Sequence, residues 1–154
     1  MKKICILISL ILIFSVLCGC SKPLVMQDVK NIVSVDFYFS EGSEYNYSFD
    51  LEKGVFRASA DKKPLDDSPE YELNQSEIDA IRNSIEPVRK WPYDYQYARL
   101  FARYLPRYYK LTINYADGTQ FVFNGSSDGT KWPEGFEELK ETFDSIALER
   151  LYEK

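Results

Sequence analysis

The chain has 154 residues, enough for one domain with a sizeable core, and aromatic residues at 16% argue against a disordered polypeptide. Its formal net charge is −5 and it contains no histidine. Those features weigh against nucleic-acid partners and remove both the commonest general base and the commonest metal ligand.

The chain opens MKKICILISLILIFSVLCGC, with Lys2 and Lys3 ahead of an apolar run of 13 residues, Ile4 to Val16. A bilayer-spanning helix needs about 20 apolar residues, so this is an export signal rather than a span. The run closes on Leu17, Cys18, Gly19 and Cys20, which resembles the lipobox of bacterial lipoproteins. That motif has an aliphatic residue at −3, two small residues, then cysteine. Cys18 is a mild departure, since Ala or Ser is more usual at −2. The resemblance implies cleavage between Gly19 and Cys20 and a diacylglycerol on the Cys20 thiol, holding the protein as an acylated (palmitate-type) lipoprotein on the extracytoplasmic face of the cell membrane. Cys5 and Cys18 would leave with the signal, so the mature domain would have no free thiol or disulfide. The organisation read from this is signal peptide 1–19, tether 20–31 and a single domain 32–154. A stretch of ten residues within that tether reaches at most about 35 Å.

Alternation begins after the tether. Val33, Val35, Phe37 and Phe39 share one face of a first strand; Tyr45, Tyr47, Phe49 and Leu51 share one face of a second. A third strand is expected over Val55 to Ala60, and a short one over Tyr71 to Leu73. Asn74-Gln-Ser-Glu77 has capping-box spacing and predicts a helix start. Ile78, Ile81, Ile85 and Val88 then form one apolar stripe, disturbed at Pro87. Spacing of Tyr97, Leu100, Phe101, Tyr104 and Leu105 predicts a further helix over 94–105, with Arg99 and Arg103 on its free side. Tyr109, Leu111, Ile113 and Tyr115 alternate again. Asp117-Gly118 predicts a two-residue hairpin turn leading to Phe121 and Phe123. Phe136, Leu139, Phe143 and Ile146 mark a last helix. The expected fold is α+β, an antiparallel sheet of five or six strands with helices packed on one face.

Trp91, Leu111-Ile113-Tyr115, Asp117-Gly118 and Pro133-Gly135-Phe136-Leu139 together resemble a group of small secreted domains found in lipoproteins of Gram-positive, clostridia-like bacteria. The resemblance implies this fold and an extracytoplasmic compartment, and carries no activity.

The segment Arg89 to Lys110 concentrates charge, with six basic residues against the single acid Asp94. Trp91, Tyr93, Tyr95, Arg99, Arg103 and Arg107 form the candidate binding surface, because arginine and tyrosine are enriched at interface hot spots. Three readings stay open: a packed helix with solvated arginines, a contact surface for an envelope protein or glycan, and a face for anionic lipid. Asp128-Gly129 reads as a turn rather than a calcium loop, and Glu137 with Glu141 as an exposed helix face. No catalytic residue, metal ligand or cofactor is expected. The functional expectation is a non-catalytic binding or interaction module in the cell envelope. The alternative is a carboxylate-type hydrolase acting on wall polymers.

Overall fold

The structure is a computed structural model that describes residues 25–61, 63–97 and 107–152. Its strands are β1 (Ile32–Glu41), β2 (Ser43–Asp50), β3 (Val55–Ala60), β4 (Glu70–Glu72), β5 (Asp94–Tyr97), β6 (Arg107–Tyr115) and β7 (Gln120–Ser127). The α-helices are α1 (Gln75–Ile85) and α2 (Phe136–Tyr152). The strands form one open sheet in the order β4-β3-β2-β1-β6-β7-β5. The fold is α+β, as expected, but among the described residues the sheet has seven strands and is mixed, because β5 runs parallel to β7.

The period-two reading holds through the centre of the sheet. Val35, Phe37, Phe39, Tyr47, Phe49, Leu111, Ile113, Phe121 and Phe123 are all buried. One irregularity shifts β1: its register slips between Ile32 and Ser34, so Ile32 is buried and Val33 only half-buried. Helix α1 starts as predicted. The Asn74 side chain accepts from the Glu77 amide at 3.0 Å, and the Glu77 carboxylate accepts from the Asn74 amide at 2.8 Å. The other Glu77 oxygen takes a hydrogen bond from Arg150 at 2.7 Å, tying α2 to the start of α1. Pro87 ends the α-helix, and Glu86–Lys90 continues as a 3-10 turn. Helix α2 lays Phe136, Leu139, Phe143 and Ile146 on the sheet; Phe143 sits 5.0 Å from Phe49 and 5.3 Å from Phe37, ring centre to ring centre. Burying each such ring contributes roughly 1.5–3 kcal/mol.

Two local expectations fail. Asp94–Tyr97 is strand, not the first turn of a helix. Tyr95 and Tyr97 alternate with Asp94 and Gln96, and a ladder to β7 overrides the helical spacing read from residues further on. Asn124 N–H donates to Tyr93 C=O at 2.9 Å and Asp128 N–H to Tyr97 C=O at 3.1 Å. The remainder of the predicted helix lies outside the described residues. The β6–β7 turn has three loop residues, Ala116 to Gly118, closed by Tyr115 N–H to Thr119 C=O. Only Gly118 takes positive φ, at 82°, because the Asp117 carboxylate caps the Thr119 amide from an ordinary backbone conformation.

The chain is also fastened to the domain earlier than the predicted tether boundary. Asp28 caps a short 3-10 turn, Val29–Asn31. Gln27 donates to Asp117 at 2.6 Å, the Arg89 guanidinium donates to the Gln27 carbonyl, and Ala116 N–H donates to Asn31 C=O at 3.0 Å. No described helix is long and apolar enough to cross a membrane.

Candidate binding surface

Both helices pack on one face of the sheet; the other face carries the outward residues of each strand. Registration places Tyr38, Lys110, Asn124 and Asp94 in one row across β1, β6, β7 and β5. Ser40, Tyr108, Ser126 and Gln96 form the adjacent row. With strands about 4.8 Å apart, four strands span about 14 Å, and the two rows lie about 7 Å apart along the strands. All of these residues except Ser40 line an open hollow of about 390 Å³. Tyr108 is 48% exposed, unusually high for a large aromatic, and Lys110 and Asn124 are exposed beside it.

The rows exist because the segment 90–110 supplies both flanks of β7: β5 brings Asp94 and Gln96, and β6 brings Tyr108 and Lys110. The alternate residues of these strands point the other way. Tyr109 lies against Gly125, where an added Cβ would come within 2.1 Å of its ring. A glycine is needed here for that close approach. The Tyr109 hydroxyl is buried with no hydrogen-bond partner among the described residues, and desolvation, followed by the nearby Tyr95 and Asp94, pushes its pKa far above the ordinary tyrosine value. Desolvation, with smaller contributions from Tyr97 and Asp128, also raises Tyr95.

The predicted surface residues divide accordingly. Trp91 is almost wholly buried: it is 6% exposed, its ring lies edge-on to Tyr109 and Phe123, and its indole N–H donates to the Glu134 carbonyl at 2.7 Å. It stands three residues beyond Val88 and so continues the buried stripe of α1, a spacing visible in the sequence. Tyr95 is half-buried against the core. Tyr93 is exposed while stacking on Phe123 at 5.2 Å. Arg107 is half-buried and paired with Glu41. Gly19, Cys20, Arg99 and Arg103 lie outside the described residues. Tyr38, Asn124 and Ser126 escaped the sequence reading, since only strand registration brings them to Lys110 and Tyr108.

No family model matches the chain, and neither the curated proteins nor the solved structures contain a match to it. The surface must therefore be read from its own chemistry.

That chemistry is mostly neutral hydrogen bonding: two phenols, two hydroxyls and two carboxamides, with one ammonium and one carboxylate. Among the described residues, no group of three or more His, Cys, Asp or Glu is placed to hold a metal ion. A larger hollow, about 460 Å³, lies at the opposite edge of the sheet, with Asp61, Lys63 and Asp67 on its lining. Asp128, near the end of β7, is buried and accepts from both the amide and the hydroxyl of Thr130, an Asx turn as expected for Asp-Gly.

Proposed function

We propose that this chain is an extracytoplasmic lipoprotein, anchored through diacylated Cys20, that binds a glycan of the cell envelope across its uncovered sheet face without transforming it. One observation carries the reading: two registered rows of hydroxyl, carboxamide and tyrosine side chains on the face opposite both helices. Tyrosine offers an apolar ring for the C–H face of a sugar and a hydroxyl for its polar edge, while Asn124 and Gln96 supply paired donors and acceptors. The near-neutral composition favours a sugar polymer over a strongly charged ligand, and the strand rows suit an extended chain.

The test is co-sedimentation of the intact mature chain with purified insoluble bacterial wall glycan. Binding by the parent and its loss in the Tyr108→Ser, Asn124→Ala double variant would support the reading. Equal retention of parent and variant would reject this face. Release of soluble fragments from the glycan would replace binding with the hydrolase alternative. Metabolic labelling with a fatty acid tests the anchor separately, with label expected on the parent and none on Cys20→Ala.

A further inference from the structure

A second surface sits at the corner where the chain enters the domain. Val25 and Tyr93 are 76% and 53% exposed, two of the three large hydrophobic residues most open to solvent among those described. With Met26, Arg89, Trp91 and Phe123 they line one groove of about 270 Å³. The groove lies on the helix side of the sheet, because Tyr93 stacks on the core-facing rings of Phe121 and Phe123.

Its position relative to the anchor decides what it meets. The chain is fastened from Gln27 onward by its bonds to Asp117 and Arg89. From Cys20 to the fastened Gln27 run seven residue steps, a reach of at most about 25 Å, and Val25 itself lies within about 17 Å of Cys20. The headgroup layer on each side of a bilayer takes up about 5–8 Å of that. A lipid on Cys20 therefore keeps Val25 and this corner of the domain close to the headgroups.

Resting on the anchor reading above, we propose that the Val25–Tyr93 corner seats in the lipid headgroup layer and fixes the orientation of the domain. An aromatic ring with a polar tip beside an aliphatic side chain is what the interface favours. The charges at the corner are nearly balanced: Arg89 lies 3.4 Å from Glu86, and Lys90 lies 3.9 Å from Glu134. Seating therefore depends on apolar contact and occurs on zwitterionic lipid, without the anionic lipid that the basic segment alone would call for. Because the groove is on the helix side, the polar rows on the other face stay clear of the lipid.

The experiment uses Trp91 as a reporter inside the groove. A chain from Cys20 onward, which includes every described residue, is coupled by its thiol to a maleimide phospholipid in phosphatidylcholine vesicles. Trp132→Phe leaves Trp91 as the only tryptophan. Replacing the lipid by its brominated form is expected to quench Trp91, and Val25→Asp is expected to remove most of that quenching while the protein still floats with the vesicles. Absence of quenching in floating parent protein overturns the proposal, as does quenching that Val25→Asp leaves unchanged. Shielding of the corner by a second copy would also leave bromine without effect and so overturn it. Should Trp132→Phe fail to fold, the same comparison is made on the two-tryptophan parent. Chemical coupling makes the result independent of whether cells acylate Cys20, so failure of the corner and failure of the anchor are separate outcomes.

Discussion

The two faces of the sheet are built from the same strands and differ in almost everything else. On the helix side, Phe37, Phe39, Tyr47, Phe49, Phe123 and their neighbours are buried in one aromatic cluster with Phe136 and Phe143. On the other side, Asp36, Tyr38, Ser40, Thr112 and Asn124 remain half-buried or exposed. The first face accounts for most of the stabilising burial and has little freedom to change. The second contributes little apolar burial, so its residues are free to be selected for contact with something else. The difference teaches where to look: polar side chains in register on an uncovered face are not required by the fold.

The comparison breaks most visibly at the centre of the core. Phe143→Ala is expected to destabilise the domain by about 3–5 kcal/mol, measured by chemical unfolding. Glu141→Ala, exposed on the same helix, should stay within about 0.5 kcal/mol. Similar midpoints for the two would contradict the placement of α2.

A smaller effect is expected where the sheet is tightest. Gly125→Ala places a methyl group against the Tyr109 ring and should cost about 1–3 kcal/mol through overpacking. Relief of that cost by adding Tyr109→Ala would identify the ring as the cause.

Tyr109→Phe should change stability at neutral pH by no more than about 1 kcal/mol, because the hydroxyl it removes has no partner among the described residues. Its signature is alkaline. The folded pKa lies above the unfolded value near 10, so this group's contribution is complete below pH 10 and is lost as pH rises beyond it. Tyr95 and Tyr115 shift in the same direction, chiefly by desolvation. The parent should therefore lose stability above about pH 10, and Tyr109→Phe should make that decline shallower. Parallel pH profiles would show that Tyr109 titrates normally in the fold.

Much of this architecture is legible from local pattern. Alternation in β1, β2 and β6, the Asn74 capping box and the Phe136 to Ile146 stripe each reflect short-range physics, and each reappears in the fold. The misreadings share a different origin. β5 is strand because β7 lies beside it, a partner about 30 residues later. The basic neighbours of Trp91 suggest a surface position, whereas its spacing from Val88 continues the buried stripe that the fold shows. The site was legible only in half: Tyr108 and Lys110 lie in the basic-aromatic segment, whereas Tyr38 and Asn124 join them only through the registers of β1 with β6 and β6 with β7. Registration is a long-range property, and no local pattern encodes it.

The most direct test of the uncovered face as the binding face is backbone-amide shift mapping by NMR during titration with a soluble fragment of wall glycan. The account predicts that the largest shifts fall on the two rows, Tyr38, Lys110, Asn124 and Asp94 together with Ser40, Tyr108, Ser126 and Gln96, while amides of α1 and α2 stay still. Shifts centred on the Asp61–Asp67 hollow or on the helices, with the two rows unmoved, would contradict it.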